Sequence, residues 1–260
     1  MSHVESLPLL LKQLALPSIG NHWKSKAQEG EEKHWPYEKY LSVLAELEVN
    51  SRYEKRVQRY IKESKLPPGK TLTSFKFEKA KSINAAQIQA LADNVSWIKQ
   101  ASNLIMFGPS GVGKTHLAAA IGYRLIEQGI RVLFTSATAL VQKLMLARNE
   151  YRLPDFLSRL ARIPVLILDD ISYVKKSDSE TSVLFELIAE RYETNTLIIT
   201  SNLAFGEWDQ IFPDNIMAVA AIDRLVHHAT IINVTDESYR KTQSAMAKHK
   251  DGGNMKKNTP

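Results

Sequence analysis

The feature that most constrains the fold is a glycine-rich segment, GPSGVGKT, at residues 108–115. It matches the pattern GxxxxGK[ST] in full, follows an apolar run at 103–107 directly and opens a stretch of helical periodicity. The three glycines let backbone N–H groups turn inward around phosphate oxygens, and the helix amino terminus adds a favourable dipole. This order of strand, loop and helix predicts a phosphate-binding loop.

Each position of this loop has an expected task. Lys114 should reach the β- and γ-phosphates, and the Thr115 hydroxyl should bind Mg²⁺. A chance match in an ordinary glycine-rich loop is the alternative, but the flanking strand and helix argue against it. The predicted nucleotide-binding residues are Gly108, Pro109, Ser110, Gly111, Val112, Gly113, Lys114 and Thr115.

Apolar runs alternate with helical patterns through the rest of this region. Strands that are apolar throughout and separated by helices are typical of a parallel sheet covered on both faces, which makes the expected fold α/β. The five predicted strands are residues 103–107, 131–135, 164–170, 196–202 and 229–234.

Polar side chains end two of these strands. In LILDD, we expect Asp169 to act on Mg²⁺ and Asp170 to orient or deprotonate the attacking water, because ligands collect at the carboxyl ends of parallel strands. The alternative for such a pair is a solvated strand end. Asn202, which ends TLIITSN, can hold the lytic water or the γ-phosphate, although asparagine there is also a common turn residue.

The amino-terminal residues 1–66 have helical periodicity, with Pro17 ending the first stretch. Separate helices are predicted near 7–14, 37–47 and 51–65. The last carries six basic and two acidic residues, and its cations recur at helical spacing opposite an apolar face. This face either follows DNA phosphates or is a solvated outer surface. The candidate DNA-binding residues are Arg52, Lys55, Arg56, Arg59 and Lys62.

A linker, Leu66-Pro67-Pro68-Gly69, follows these helices. The next segment, KTLTSFKFEKA, has an extended pattern with Phe75 and Phe77, and a helix is predicted over 84–100. The resulting domains are a helical region at 1–68, an α/β domain at 69–245 and a disordered polar tail at 246–260.

Composition narrows the classes of function. The net charge of +6 and pI of about 9.3 favour a polyanionic partner, although a basic surface without one is the alternative. The absence of cysteine excludes disulfides and thiolate metal sites. No run approaches the roughly 20 apolar residues of a membrane span, and no signal peptide precedes the first helix. We therefore expect a cytoplasmic protein that does not enter membranes.

The motifs together resemble those of a known family. GPSGVGKTHLA, LILDDISY, ERYETNTLIITSNLAFGEWDQIF and AIDRLVHHATIINVTDESYR resemble the IstB family of transposition helper ATPases, which are AAA+ proteins similar to DnaC-type helicase loaders. The resemblance covers most of the chain, and TSNLxFGEWDQ…DRLxHH is its most specific part. It implies an AAA+ core with five parallel strands behind a small helical domain, with little or no helical lid after the last strand.

The resemblance also implies roles for single residues. Asn202 falls at sensor 1, and Arg224 falls where such proteins carry an arginine finger that reaches the nucleotide of a neighbouring subunit. A surface arginine paired with an acid is the alternative for Arg224. Phe75 and Phe77 fall near the adenine position or simply pack the linker, and Arg240 is a candidate phosphate sensor. Many family members have glutamate where this chain has Asp170, which is shorter by one methylene.

The expected function is therefore an ATP- and Mg²⁺-dependent homo-oligomer that assembles on double-stranded DNA and recruits or stimulates a cognate transposase. A helicase loader that grips its helicase and prefers single strands is the main alternative. A metabolic P-loop kinase would need an acceptor pocket and a lid with arginines, and residues 171–195 and 203–228 give no sign of either.

Overall fold

The computed structural model describes residues 3–173, 177–212 and 215–236, and the chain forms two compact units, 1–59 and 60–260. The boundary between the units lies inside a helix, and the predicted domain limits at 68 and 245 stay predictions. Arg240 and the predicted tail at 246–260 lie outside the described residues. Within the described ranges, no helix is long and apolar enough to cross a membrane.

The amino-terminal region contains three helices, α1 (His3–Gln13), α2 (Pro17–Glu32) and α3 (Tyr37–Ser64). The prediction missed α2, because Pro17 does not only end a helical pattern: it occupies the first turn of the next helix, where its missing N–H costs nothing. The prediction of separate helices at 37–47 and 51–65 is also wrong. No glycine or proline lies between them, and α3 is continuous.

A buried glutamate organises the first unit. Glu48, on α3, is 4% exposed and accepts hydrogen bonds from the backbone N–H groups of Ser18 (2.8 Å) and Ile19 (3.3 Å), which begin α2. A carboxylate is stabilising at a helix amino terminus, where N–H groups have no partner within the helix. Glu48 therefore joins α3 to the start of α2.

The second unit is built on the predicted five-stranded parallel sheet, with strand order β2-β3-β4-β1-β5. Of the three interior strands, β1 and β4 are buried at every position and β3 at all but its last, whereas the edge strands are partly exposed. The strands are β1 (Asn103–Phe107), β2 (Val132–Ser136), β3 (Val165–Asp169), β4 (Thr196–Ser201) and β5 (Ala229–Asn233).

Within the described part of this unit, seven α-helices and three short 3₁₀ turns accompany the sheet. The helix predicted over 84–100 is two helices, because the backbone of Asn94 is extended and its side chain accepts a hydrogen bond from the Ser96 N–H. The helices are α4 (Ala85–Asp93), α5 (Ser96–Lys99), α6 (Lys114–Glu127), α7 (Ala137–Asn149), α8 (Leu153–Ala161), α9 (Asp178–Arg191) and α10 (Asn215–Val226). The 3₁₀ turns are Phe77–Lys79, Ile171–Tyr173 and Phe205–Gln210.

One buried cation holds the amino-terminal edge of the sheet. Arg191, at the end of α9, is 1% exposed, and burial lowers its pKa to about 9, so it stays charged at neutral pH. Its guanidinium donates hydrogen bonds to four backbone carbonyls at the ends of α8 and the starts of β3 and β4. These are Leu160 (3.1 Å), Ile163 (3.0 Å), Pro164 (3.1 Å) and Thr196 (2.9 Å).

Replacing this arginine with methionine should destabilise the second unit strongly. Arg191→Met keeps the length and removes the donors, so four carbonyls lose their partner at a cost of about 3–5 kcal/mol. Denaturant unfolding should show the loss as a lower midpoint. Arg152→Met is the matched control, because Arg152 is exposed and should change stability by no more than about 0.5 kcal/mol. Equal midpoints for the two variants would contradict the assigned role of Arg191.

Candidate nucleotide site

The predicted phosphate loop joins β1 to α6, and its glycines adopt conformations that other residues rarely adopt. The φ angles of Gly108, Gly111 and Gly113 are 144°, 88° and 105°. A Cβ atom on Gly108 would lie 2.0 Å from the backbone oxygen of Val234, directly after β5. The close passage of two backbones therefore requires glycine at the first position of the loop.

Lys114 is the first residue of α6, and its side chain lies across the loop. It is 6% exposed, and its Nζ donates hydrogen bonds to the carbonyls of Gly108 (2.6 Å) and Pro109 (2.9 Å). The ammonium group is thus held where the loop curves, with backbone oxygens as partners. Phosphate oxygens are stronger acceptors for an ammonium than neutral carbonyls, so an anionic ligand could replace these partners.

A cavity of about 410 Å³ opens beside the loop. One wall is the loop and the start of α6, and the other is the segment at 70–80, which forms turns and a short 3₁₀ helix instead of the predicted extended chain. Three lysines of this segment line the cavity, and sequence reasoning did not single them out. The lining residues are Lys70, Ser74, Phe75, Lys76, Lys79, Ala80, Ser110, Gly111, Val112, Gly113, Lys114, Thr115, His116 and Asp170.

The two phenylalanines of this segment have different positions. Phe75 lines the cavity and lies on the loop, so close that a Cβ on Gly113 would come within 2.8 Å of its ring. Phe77 packs edge-on against Phe75, with ring centroids 4.7 Å apart, and is not among the residues that line the cavity. A direct contact with a base is therefore available to Phe75, and Phe77 supports it from behind.

His116 holds this wall in place. Its Nε2 lies 3.1 Å from the Ser74 hydroxyl and 3.0 Å from the Thr71 carbonyl oxygen. Its ring also meets Phe75 edge-on, with centroids 5.2 Å apart. The residue after the Lys-Thr pair thus connects α6 to the segment that carries Phe75.

A threonine that sequence reasoning missed joins the two acidic residues to β4. The Thr200 hydroxyl donates to Oδ1 of Asp169 (2.7 Å) and accepts from the backbone N–H of Asp170 (2.9 Å). Asp170 has a φ of 55°, a left-handed conformation that aspartate tolerates better than most residues. Thr200 precedes Asn202 by two positions, and this spacing was the available signal, because such residues share a face of a strand.

Asn202 directly follows β4, which pairs with the strand that ends in Asp169. Its backbone N–H donates to the Ser172 hydroxyl at 3.4 Å, and its side-chain Oδ1 is buried without a hydrogen-bond partner among the described residues. A buried amide oxygen without a partner is costly, so this atom suits a site that a ligand or water completes. The hydroxyl of Thr115 and the carboxylate of Asp169 are oxygen donors of the kind that Mg²⁺ prefers.

Comparison with known proteins identifies the family. A model of the IstB-like ATP binding proteins matches residues 9–247, which is most of the chain. The chain belongs to this family. An insertion sequence ATP-binding protein of Sinorhizobium fredii is 48% identical over 95% of this chain and 83% of its own length. An insertion sequence IS21 ATP-binding protein of Pseudomonas aeruginosa is 36% identical over 99% and 95%.

Solved structures confirm the AAA+ fold predicted for this IstB-like chain. The DnaC helicase loader superposes with a TM-score of 0.54 and 22% identity, covering 68% of this chain and 99% of the loader. AMPPCP-bound DnaA from Aquifex aeolicus superposes with a TM-score of 0.55 and 19% identity, covering 72% of this chain and 57% of DnaA.

Arg224 of the IstB-like chain lies near the end of α10 and is held within its own subunit. Its guanidinium lies over the Phe185 ring, 4.9 Å from the centroid, and donates a hydrogen bond to the Ala220 carbonyl oxygen (3.0 Å). It is absent from the described residues that line the nucleotide cavity. In the sequence Arg224 neighbours Asp223, but its described partners are Phe185 and Ala220.

The basic residues of α3 are all exposed, but they differ in their contacts. Arg52 donates hydrogen bonds to Glu48 Oε1 (2.9 Å) and to the Ala15 carbonyl oxygen (2.6 Å), so it has a structural role in the first unit. Arg56 lies over the Tyr53 ring at 5.7 Å. The predicted DNA-binding face therefore includes one arginine that already holds α3 to the short connection between α1 and α2.

Replacing Thr200 with valine should weaken metal-dependent nucleotide binding. Thr200→Val conserves volume but leaves the Asp170 N–H without its acceptor and the Asp169 carboxylate without a donor, at a cost of about 1–3 kcal/mol. Titration of a fluorescent ATP analogue should require more Mg²⁺ for half-saturation. Thr200→Ser keeps the hydroxyl and should behave like the wild type. An unchanged Mg²⁺ requirement in Thr200→Val would contradict this role.

Proposed function

We propose that this protein hydrolyses ATP with Mg²⁺ and uses the nucleotide state to control assembly on DNA as the helper of an insertion-sequence transposase. The observation that carries the proposal is the cavity at the carboxyl edge of the sheet, which brings Lys114, Thr115 and Asp170 to one ligand-sized space. Membership of the IstB-like family supplies the biological setting.

The residues divide the chemistry between them. The loop N–H groups and Lys114 would bind phosphate oxygens, and Thr115 and Asp169 would hold Mg²⁺, which would supply neutralisation of phosphate charge. Asp170 orients or deprotonates the attacking water, and Asn202 positions that water or the γ-phosphate through its buried amide. Phe75 offers an apolar surface to the base, supported by Phe77 and His116.

Hydrolysis should be slow. Aspartate at position 170 is one methylene shorter than the glutamate of many relatives, and the left-handed backbone and the Thr200 contact fix its main chain. A carboxylate that cannot move closer to the water activates it less well. Slow hydrolysis suits a switch in which ATP holds an assembly and its hydrolysis resets that assembly.

Arg224 acts on the nucleotide of a neighbouring copy. It precedes β5 and therefore lies towards the amino-terminal edge of the sheet, whereas its own phosphate loop follows β1 at the carboxyl edge. A head-to-tail contact between copies would place this arginine at the neighbour's γ-phosphate, where it stabilises charge in the transition state. The active site is then complete only in an oligomer.

A subunit-mixing experiment tests whether the protein hydrolyses ATP and whether each active site is shared between two subunits. Arg224→Ala and Asp170→Asn should each reduce phosphate release, by about 10³-fold for the arginine. Their equal mixture should regain activity, because about a quarter of its head-to-tail interfaces combine an intact Asp170 with an intact Arg224. Phosphate release is the measurement.

The controls separate binding from chemistry. Lys114→Ala should lose nucleotide binding, and its mixture with Arg224→Ala should also recover, because Lys114→Ala subunits still supply Arg224. Recovery must be absent when Arg224→Ala is mixed with a double variant, Lys114→Ala with Arg224→Ala. If the wild type releases no phosphate, hydrolysis is wrong; if no mixture recovers, sharing of the site is wrong.

DNA binding is assigned to the exposed cations of α3. The net charge of +6 and the basic face support a phosphate-binding surface that has no strong sequence preference. A structural neighbour, DnaA, is known bound to AMPPCP and single-stranded DNA, with a TM-score of 0.56. The engagement of Arg52 with Glu48 and Ala15 shifts the expected contacts to Lys55, Arg56, Arg59 and Lys62.

Removing three of these cations should weaken DNA binding and its salt dependence. Lys55→Gln, Arg56→Gln and Lys62→Gln together should reduce the slope of log K against log salt by about 0.9 for each lost phosphate contact. The matched control, Lys12→Gln, Lys24→Gln and Lys39→Gln, removes the same charge from other exposed positions of the amino-terminal helices and should change the slope less. Fluorescence anisotropy with duplex DNA, ATP and Mg²⁺ measures both. Equal slopes for the two triple variants would contradict this DNA-binding face.

A helicase loader is the second candidate, favoured by the superposition that covers 99% of DnaC. A loader should prefer single-stranded DNA, and its neighbouring gene should encode a replication protein. The transposition helper should prefer duplex DNA and lie beside a transposase gene. The same anisotropy titration with both kinds of DNA therefore decides between the two candidates.

A further inference from the structure

Two histidines and a glutamate form a cluster at the edge of the sheet opposite the phosphate loop. Glu193 precedes β4, and His227 and His228 precede β5, so all three lie at the amino ends of parallel strands. One candidate ligand atom from each lies within 4.8 Å of those of the others. The two imidazole centroids are 4.2 Å apart, and Nδ1 of His227 lies 4.0 Å from Oε1 of Glu193.

A neighbouring tyrosine forms a hydrogen bond with one of the two histidines. The Tyr192 hydroxyl lies 3.0 Å from Nδ1 of His227, within hydrogen-bond distance. A hydroxyl oxygen can accept from an imidazole N–H, so Tyr192 suits the tautomer in which His227 carries its proton on Nδ1. This tautomer leaves the lone pair of Nε2 on His227 for a ligand. Histidines that bind metals almost always donate their other N–H in this way.

A buried asparagine fixes the two turns that carry the cluster. Asn103, 7% exposed, donates from Nδ2 to the Leu225 carbonyl oxygen (3.0 Å) and accepts at Oδ1 from the Leu197 N–H (2.9 Å). Its own N–H donates to the carbonyl oxygen of His228 (2.7 Å). The end of α10 is thereby attached to the start of β4, close in sequence to Glu193. The backbone of the cluster is thus held by a buried residue even though its side chains are exposed.

We propose that Glu193, His227 and His228 bind a divalent transition-metal ion, with Zn²⁺ the best match to two imidazoles and a carboxylate. Hard ions such as Mg²⁺ prefer all-oxygen sites, whereas imidazole suits Zn²⁺. In a tetrahedral zinc site, bonds of about 2.0–2.1 Å place the ligand atoms roughly 3.4 Å apart. The exposed side chains reach this spacing by rotation about their own bonds, and the fourth position remains open to water.

The ion would add a direct link between two turns that Asn103 and the Tyr192–His227 hydrogen bond already hold near each other. His227 directly follows α10, three residues after Arg224. The bound ion would therefore fix the end of the helix that carries this arginine. The alternative is a surface pair of Glu193 and His227, which contributes little to stability and binds no ion. The two readings differ in one measurable property, the uptake of metal by the full chain.

Cobalt and zinc titrations of the full-length protein, free of affinity tags and stripped with EDTA, test this site. Co²⁺ should give the intense visible absorption of tetrahedral coordination at one ion per chain, and excess Zn²⁺ should remove it. His228→Ala and Glu193→Gln should each weaken Zn²⁺ binding by about ten-fold or more, measured by calorimetry. Tyr192→Phe keeps all three ligands and should weaken binding by about ten-fold.

The matched control is His34→Asn, which removes an exposed histidine from the first unit at a left-handed position that asparagine tolerates. It should bind Co²⁺ and Zn²⁺ like the wild type. Circular dichroism of each variant confirms that the fold is retained. The proposal is overturned if the wild type gives no tetrahedral Co²⁺ spectrum, or if His228→Ala binds Zn²⁺ as tightly as His34→Asn. ATP hydrolysis is not part of the readout, so this result is independent of the proposed ATPase.

Discussion

The pairing of β1 with β4 on one side and β5 on the other is the constraint on which the nucleotide site depends. Phe107 is level with both Ser201 and Asn233, and β3 continues the same register alongside β4. The chain leaves these strands at one edge, which brings the phosphate loop, the two aspartates and Asn202 into one region. This close approach of the strand ends excludes any side chain at Gly108, because its Cβ atom would collide with the Val234 backbone. No change of rotamer can relieve a collision with backbone atoms.

The sheet and the loop could be predicted from the sequence because each depends on a short-range pattern of neighbouring residues. Apolar runs mark buried parallel strands, and the loop motif carries its own conformational requirement in its glycines. Other features depend on contacts between distant segments. The spacing of Thr200 from Asn202 could place the two residues on one face of a strand, but the pairing of Thr200 with Asp169 also required the register of β3 and β4. Likewise, Lys70, Lys76 and Lys79 line the cavity because their segment folds back in turns.

The amino-terminal helices show a second limit of sequence patterns. Counting charges along α3 treats each cation as equally available, but Arg52 is bound to Glu48 and to the Ala15 carbonyl. Burial acts to raise the pKa of Glu48, but hydrogen bonds from Arg52 and from the backbone of Ile19 and Ser18 outweigh it and lower the pKa. Arg52 therefore stabilises the buried Glu48 carboxylate. The periodic charge pattern alone could not distinguish it from the other cations of α3.

The two edges of the sheet divide the second unit into two regions of different chemistry. Oxygen donors and a phosphate loop occupy the carboxyl edge, and imidazoles with a carboxylate occupy the amino edge. Helix α10 follows β4 in the chain and leads to the start of β5 at the amino edge, with Arg224 close to its carboxyl end. An ion bound at Glu193, His227 and His228 would act at the base of the helix that carries this arginine. In the proposed head-to-tail assembly, one copy's amino edge would meet the next copy's carboxyl edge. The metal site would then influence the nucleotide of the neighbouring copy more directly than its own.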